Sequence, residues 1–333
     1  MLKDEVLRIM EQKIGTIITG GQLAKYLSVS RNSIWKTIHA LQEDGIQVIS
    51  VPNVGYKLLD TNDTLSEHLI NSKRSTAFIG NQLKILPSVH STNKYLKEAD
   101  SENNENGFVV IANEQTQGRG RRSREFVSAR DEGVYLSMLL KLNGRQHDIR
   151  LLTICAAVAV SKSIESICKL NAEIKWVNDI YCNGKKICGI LTEASLSGEL
   201  QELDTVIIGI GINTGNVPFE IKEFATSVLE ENGMRGIRND LIAELLNQFE
   251  SVYLDYTEKG KAHEIIKHYE SKLFIKGKQV IVVNHDNEYA ATVLGVDSTG
   301  ALIVENDNGD SEHITTGEIK LKYDKNEKII HNS

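Results

Sequence analysis

The segment "AEIKWVNDIYCNGKKICGILTE", residues 172–193, contains two candidate strands joined by turns. Residues 173–176 and 186–191 have the apolar and β-branched composition of strands, and Asn183-Gly184 between them predicts a hairpin. This segment therefore predicts part of a buried sheet.

Lys175 is the residue of this segment that points to chemistry. Its neighbours Ile174 and Trp176 predict that the strand is buried on at least one face, which favours a lysine directed into a cleft. Asn178 and Asp179 are expected in the turn that follows. A lysine and an aspartate at a strand end are more often ordinary surface charges, so the segment alone does not decide between the two interpretations.

Strand and helix patterns alternate on both sides of this segment, which predicts a mixed α/β central domain. The polar run "SENNENG", residues 101–107, reads as a solvated loop. The other candidate strands are 83–86, 108–113, 134–140 and 205–212, and the candidate helices are 150–170 and 240–257.

The stretch "EQTQGRGRRSREF", residues 114–126, concentrates positive charge around Gly118 and Gly120. Glycines let the backbone approach a ligand closely, and guanidinium groups bind phosphate or carboxylate oxygens with paired donors. Because like charges repel, we expect this loop to be disordered until an anion arrives. A basic surface loop without a ligand and an RNA-binding strip remain alternatives.

A third cluster, "VIIGIGINTG" at residues 206–215, consists of an apolar strand that is followed by Gly209, Gly211 and Asn213. The dinucleotide fingerprint G-x-G-x-x-G is incomplete here. We therefore expect only a close approach of this backbone to a base or a sugar.

The N-terminal residues predict a helix-turn-helix. Thr19 and Gln22 have capping-box spacing, and Ser30 is the expected N-cap of a second helix whose apolar face carries Ile34 and Ile38. The following residues, 46–59, read as a two-stranded wing. Six residues of the second helix are candidates for DNA contacts: Ser30, Arg31, Asn32, Ser33, Trp35 and Lys36.

From Gly20 to Ala40 the charged residues are Lys25, Arg31 and Lys36, without an acid. This local positive charge, together with the wing, favours DNA binding over the alternative of a protein-docking module. The chain as a whole carries a net charge of -7, which argues against a general nucleic-acid-coating protein.

Short strands separated by turns fill the C-terminal part and predict a small antiparallel barrel with no obvious catalytic constellation. We expect the polar tail from Asp324 onwards to be frayed. The predicted boundaries are 1–62 for the winged helix, 66–272 for the central domain and 273–325 for the barrel.

Composition limits the remaining possibilities. The four cysteines form no C-x-x-C pair and are expected to be buried, reduced thiols. No uninterrupted apolar run approaches the length of a membrane span, and residues 1–10 resemble an amphipathic helix rather than a signal peptide. We expect a cytoplasmic protein without membrane contact.

Five motifs, in their order along the chain, resemble those of the biotin protein ligase family, and the helix-turn-helix places the chain with the bifunctional members that also repress the biotin operon. The motifs are "HSTN" at 90–93, "EQTQGRGRR" at 114–122, "KWVNDIY" at 175–181, "KKICGILTE" at 185–193 and "GIGIN" at 209–213. The resemblance covers essentially the whole chain. It implies an α+β multidomain fold with a winged helix-turn-helix, a class II synthetase-like ligase domain and an SH3-like barrel.

The same resemblance implies a two-step reaction. Biotin and ATP, with Mg²⁺, form biotinyl-5'-AMP, and a lysine of the biotin carboxyl carrier protein then takes the biotinyl group. In repressor members the adenylate-loaded chain forms a homodimer and binds operator DNA.

Site residues follow from the matching motifs. Lys175, Arg119 and Arg121 would be catalytic, and Asp179 is a candidate Mg²⁺ ligand. The biotin site would comprise Ser91, Thr92, Asn93, Gln115, Arg119, Gly120, Arg121, Lys175 and Gly189. The nucleotide site would comprise Arg121, Arg122, Phe126, Asn178 and Asn213.

Two departures from the family pattern bear on the nucleotide site. Val177 stands where proline is usual, and Glu125-Phe126 stands where a basic-aromatic pair is usual. Phe126 keeps a stacking surface for the adenylate, whereas Glu125 lowers the local charge. A ligase with a vestigial DNA-binding domain, a lipoate-type acyl ligase and a biotin-sensing transcription factor without catalysis are the alternatives.

Overall fold

Three sheets organise the chain in the computed structural model, one in each predicted region. The structure describes residues 2–43, 46–59, 63–99, 104–142, 148–197, 202–284 and 287–321. The predicted tail from Asp324 and part of the predicted 101–107 loop lie outside these residues.

The N-terminal domain is a winged helix-turn-helix with its own apolar core. Thr19 and Gln22 form the predicted capping box, and the N–H of Ser33 donates to Ser30 Oγ at the start of the second helix. The elements are α1 (Leu2–Glu11), β1 (Ile17–Ile18), α2 (Gly20–Tyr26), α3 (Arg31–Glu43), β2 (Val48–Val51) and β3 (Gly55–Leu58). The sheet has the order β1-β3-β2.

The central domain is built on a seven-stranded sheet with the order β4-β5-β6-β10-β9-β8-β7. Only the β4–β5 pair is parallel. The strands are β4 (Leu83–Leu86), β5 (Val109–Ala112), β6 (Gly133–Lys141), β7 (Glu173–Lys175), β8 (Asp179–Cys182), β9 (Lys185–Ser197) and β10 (Glu202–Asn213).

Helices cover both faces of this sheet. α6 and α8 pack against each other and against one face, where the main core lies, and α5 packs on the opposite face. The helices are α4 (Glu67–Lys73), α5 (Thr92–Glu98), α6 (Ile149–Ser163), α7 (Val228–Asn232), α8 (Arg238–Thr257) and α9 (Ala262–Ser271). Helix α6 ends earlier than predicted, because a π-helical turn (Ile164–Cys168) follows it and Lys169 then adopts φ +56.

The C-terminal domain is a five-stranded antiparallel sheet with the order β14-β13-β12-β11-β15. Its strands are β11 (Gln279–Asn284), β12 (Asn287–Val296), β13 (Leu302–Asn306), β14 (Ser311–Ile314) and β15 (Glu318–Leu321). Its apolar side chains belong to the same core cluster as those of the central domain. The C-terminal domain is therefore packed against the central domain rather than tethered beside it.

A buried arginine connects the segment that enters the central domain to the sheet. The Arg238 guanidinium is almost fully buried and pairs with Asp63 (Nε to Oδ2, 3.1 Å) and Asp131 (Nη2 to Oδ1, 3.1 Å). Burying an unpaired charge is costly, so these two carboxylates are needed for the guanidinium to stay in the interior.

The four cysteines are buried, as expected. Burial raises the pKa of Cys155, Cys168 and Cys182 to about 12. These thiols are therefore protonated at neutral pH and poor nucleophiles. The apolar stretch Ile149–Cys168, long enough to cross a membrane, is mostly buried in the core within the described part of the chain.

We predict that Glu250→Gln destabilises the central domain. The Glu250 carboxylate is 6% exposed and accepts the backbone N–H groups of Ala77, Phe78 and Ile79. A glutamine would turn one acceptor into an NH₂ group that faces these donors, at a cost of about 1–3 kcal/mol. Urea unfolding measures this loss of stability, and Glu244→Gln on the same helix is the control. Equal unfolding midpoints for the two variants would contradict the prediction.

Candidate active site

One cavity of about 420 Å³ lies on the α5 side of the central sheet and extends to the C-terminal domain. A volume of this size is typical of small-molecule sites. All the residues predicted for biotin, nucleotide and metal line it: Ser91, Thr92, Asn93, Gln115, Arg119, Gly120, Arg121, Arg122, Phe126, Lys175, Asn178, Asp179, Gly189 and Asn213. The predicted DNA-contacting residues lie elsewhere, on α3 and at Ser30 immediately before it.

Lys175 ends the edge strand β7 and is only 6% exposed. Burial lowers the pKa of its ammonium group, and the nearby Asp179 carboxylate opposes that shift. Its Nζ lies 3.5 Å from Tyr181 Oη. The prediction that this lysine points into a cleft is confirmed, and the cleft holds a charge partly removed from water.

Asp179 begins β8 rather than lying in the preceding turn. Its Oδ1 is 2.8 Å from Lys186 Nζ, another cation that lines the cavity. Asn178, within the turn, donates to the Ile190 carbonyl (2.7 Å) and accepts from Arg121 Nη1 (3.3 Å). The Trp176–Val177 peptide that leads into this turn is cis.

The arginine segment is folded in the structure, in contrast to the expected disorder. The N–H of Gly120 donates to the Arg124 carbonyl (2.7 Å), and the N–H of Phe126 donates to the Gly118 carbonyl (3.0 Å). A side chain at Gly118 would lie 2.2 Å from the Phe126 carbonyl, so only glycine fits this crossing.

A carboxylate of the C-terminal domain compensates part of the positive charge of the arginine segment. From the sequence alone, we expect an anionic ligand to compensate this charge. Arg122 Nη1 lies 3.3 Å and Arg124 Nη2 lies 2.7 Å from the carboxylate oxygens of Glu318. Gly317, Glu318 and Ile319 also line the cavity. The C-terminal domain, whose sequence shows no obvious catalytic constellation, therefore contributes residues to the cavity wall.

Glycines of neighbouring strands form a flat floor under the Phe126 ring. Gly211 pairs with Gly189 across β10 and β9, and a Cβ atom on them would lie 2.4 Å and 3.2 Å from that ring. At Gly209 a Cβ atom would lie 2.1 Å from Asn93 Oδ1. A close approach of this backbone to a base or a sugar was predicted for "GIGIN". In this structure the side chains of Phe126 and Asn93 lie against that backbone.

A buried hydrogen-bond network supports the wall formed by "HSTN". Thr92 donates from its N–H (2.8 Å) and Oγ1 (3.1 Å) to Gln115 Oε1, and Gln115 Nε2 donates to Ser128 Oγ (2.9 Å). Asn93 Nδ2 donates to Glu193 Oε2 (2.8 Å), and its Oδ1 accepts from Ser137 (2.6 Å). The amide of Asn93 is thus engaged within the protein, which favours a supporting role for this residue over direct ligand contact.

Several cavity residues were absent from the predicted site. Lys186 belongs to the quoted "KKICGILTE" motif, so its charge was a visible signal. The contributions of Phe224, Ala225 and Glu318 carry no local signal, because they reach the cavity from segments distant in sequence. Asn213, which was predicted, donates from Nδ2 to the Thr226 carbonyl (3.0 Å) beside that segment.

Three family models match the chain in the order of its three regions. The HTH domain model matches residues 3–57, the biotin/lipoate A/B protein ligase family matches residues 85–213, and the biotin protein ligase C terminal domain matches residues 276–322. Fold and site thus define a protein ligase of the biotin/lipoate class that carries a DNA-binding domain.

The relatives narrow this class. The bifunctional ligase/repressor BirA of Bacillus subtilis (strain 168) is 34% identical over 92% of this chain and 95% of its own length, and that of Escherichia coli (strain K12) is 29% identical over 92% and 94%. The biotin protein ligase from Aquifex aeolicus, in complex with biotin and ATP, superposes with a TM-score of 0.64 at 28% identity, over 73% of this chain and 100% of its own. The chain belongs to the family of bifunctional biotin protein ligases and repressors.

We predict that Glu318→Ala loosens the arginine segment. Without the carboxylate, Arg122 and Arg124 repel each other and lose about 1 kcal/mol of pairing, so opening of the segment becomes about five-fold more frequent. Limited trypsin digestion, followed by mass spectrometry of cleavage after residues 119–124, measures this opening. Glu288→Ala, which removes the carboxylate of the exposed pair Lys320–Glu288 on the same domain, is the control. Equal cleavage rates for both variants would contradict the prediction.

Proposed function

We propose that this chain activates biotin with ATP and transfers it to a lysine of a biotin carboxyl carrier domain. The observation that carries the proposal is the convergence of a buried lysine and the arginine segment on one cavity. A carboxylate attacking a triphosphate brings two anions together, and cations fixed at that point lower the barrier. The superposed Aquifex aeolicus structure is a complex with biotin and ATP.

In the first step a biotin carboxylate oxygen attacks the α-phosphorus of ATP. The bond between the α-phosphorus and the bridging oxygen breaks, and pyrophosphate leaves. Lys175 would contact the carboxylate and the α-phosphate together, so its charge stabilises the transition state without forming a covalent intermediate. Arg119 and Arg121 would neutralise the remaining phosphate charge.

In the second step the carrier lysine attacks the acyl carbon of biotinyl-5'-AMP, and AMP leaves. The anhydride is prone to hydrolysis, and the folded arginine segment would shield it from water. Phe126, which lies above the glycine floor, offers a face for stacking the adenine. Ser91, Thr92 and Gln115 would bind the uncharged polar part of biotin.

We infer that Mg²⁺ enters with the nucleotide. Among the described residues no group of three or more histidine, cysteine or acidic side chains could hold a metal. Asp179 is one carboxylate, already paired with Lys186. This donor set fits Mg²⁺ bound mainly by phosphate oxygens and water, which is its usual mode with nucleotides. When bound, it would screen the phosphate charge.

The DNA-binding part of the proposal rests on α3. Arg31, Asn32, Trp35 and Lys36 are exposed, whereas Ile34 and Ile38 are buried in the domain core. A major groove accepts such a helix, with the cations on phosphates and the polar side chains on base edges. We infer that binding of the adenylate promotes a homodimer that spans two operator half-sites, in the cytoplasm.

The experiment that tests the ligase proposal is pyrophosphate release by the full chain with ATP, Mg²⁺ and biotin. Lipoate and a reaction without acid are the controls, and transfer of labelled biotin to a carrier domain follows. Release that requires biotin supports the ligase. Release only with lipoate favours the alternative acyl ligase, and no release with either acid rejects both.

We predict that Lys175→Met lowers the rate of biotin-dependent pyrophosphate release by about 100- to 1000-fold, because a positioned charge on the transition state is lost. The methionine keeps the length and the apolar stem of the side chain, so the fold is expected to persist in circular dichroism. A rate within a few-fold of the unmodified chain would refute the catalytic role of this lysine.

We predict that Arg31→Ala combined with Lys36→Ala spares ligation and weakens operator binding. Each lost phosphate contact should reduce the slope of log K against log salt by about one unit. Fluorescence anisotropy over a salt series measures that slope. Lys259→Ala with Lys261→Ala, which removes the same charge from the central domain, is the control. An unchanged slope would favour the alternative that the N-terminal domain is a protein-docking module.

A further inference from the structure

The strand that carries Lys175 lies at the edge of the central sheet, and residues leading into the C-terminal domain complete it. The N–H of Ile174 donates to the Lys272 carbonyl (2.8 Å), and the N–H of Phe274 donates to the Ile174 carbonyl (2.8 Å). A three-residue edge strand has little stability alone. Its backbone is therefore held from outside by the segment after α9.

Side chains also connect β7 to the segment after α9, through Tyr181 on β8. In the β7–β8 pair, Glu173 lies opposite Tyr181 and Lys175 lies opposite Asp179, so all four side chains are on one face. Lys175 Nζ is 3.5 Å from Tyr181 Oη and 5.5 Å from the centre of its ring. Within the described residues Tyr181 is the hydrogen-bond acceptor of this ammonium group.

The Tyr181 ring is itself fixed by an aromatic stack. It lies almost parallel to the Phe274 ring, with centroids 5.4 Å apart and an interplanar angle of 16°. Tyr181 is 5% exposed, and Lys278 Nζ lies 3.6 Å from the centre of the Phe274 ring. A stacked pair of this kind restricts ring motion and contributes to stability beyond the area that it buries.

The lysine needs such a partner, because its side chain has four rotatable bonds and the reaction requires its ammonium group at one point. The carboxylate of Asp179, which lies opposite Lys175 in the β7–β8 pair, is paired with Lys186 at 2.8 Å. Displacement of a catalytic group by about 1 Å can cost about 100-fold in rate.

We propose that Tyr181, supported by Phe274, is a positioning residue that holds the Lys175 ammonium group for attack of biotin on the α-phosphate. The inference rests on the proposed function and deepens it. Tyr181 is not among the residues that line the cavity, so it acts through Lys175 rather than on the substrates. The start of the C-terminal domain thereby contributes to the adenylation step.

Four variants of the full chain test this role: Tyr181→Phe, Tyr181→Leu, Phe274→Leu and Phe274→Tyr. We expect Tyr181→Leu to lower kcat for biotin-dependent pyrophosphate release about 100-fold and Phe274→Leu about 10-fold, with KM for ATP within about two-fold. Tyr181→Phe keeps the stack and loses the hydrogen bond, so a loss of about 10-fold is expected. Phe274→Tyr keeps the stack and should retain full activity.

Tyr95→Phe is the matched control, because Lys84 Nζ contacts the Tyr95 hydroxyl (2.6 Å) and ring (5.2 Å) away from the cavity. Each variant is also combined with Lys175→Met and assayed with radiolabelled ATP. If Tyr181 acts through Lys175, its substitutions have no further effect in that background. A purely structural role would lower the rate by the same factor with or without Lys175.

The outcomes separate the two proposals. Absence of biotin-dependent release by the unmodified chain rejects the proposed function. With the unmodified chain active, unchanged kcat in Tyr181→Leu, or equal losses in both backgrounds, overturns the positioning role. If Tyr181→Leu does not fold, as judged by circular dichroism, Tyr181→Phe and Phe274→Leu carry the same test.

Discussion

The active site depends on keeping a lysine ammonium group largely out of water at the edge of a sheet. Burial disfavours the charged form of Lys175, whereas the transition state of the proposed reaction needs it. Asp179, Tyr181 and the negative charge of Glu318 all lie near enough to compensate. The paired strands β7 and β8, the turn between them and the docking of the C-terminal domain bring these groups to the lysine.

Positive and negative charges are distributed over the cavity in a way that suits an anionic ligand. Arg122 and Arg124 share Glu318, and Lys186 pairs with Asp179, so the chain balances part of its own positive charge. A nucleoside triphosphate would compete with these carboxylates for the same cations. Ligand binding and the contact between the two domains are therefore expected to be linked.

Much of the central fold could be predicted from the sequence, because its strands are short apolar runs between clear turns. The predicted strand 83–86 coincides with β4, and Ile174 with Trp176 correctly indicated the burial of Lys175. The end of α6 could not be predicted, because apolar residues continue at helical spacing through the π-helical turn. Asp179 was expected in a turn, because a strand as short as β8 leaves little periodicity to detect.

Glu318 could not be assigned to the site from sequence, since its arginine partners precede it by almost 200 residues and "TTGEI" reads as an ordinary strand start. This separation has a consequence for biosynthesis. While the ribosome is still translating the C-terminal domain, Arg122 and Arg124 have already been synthesised without their carboxylate. The cavity can reach the arrangement described above only after Glu318 has been translated, so a chain that stops before this residue would lack one wall of the cavity.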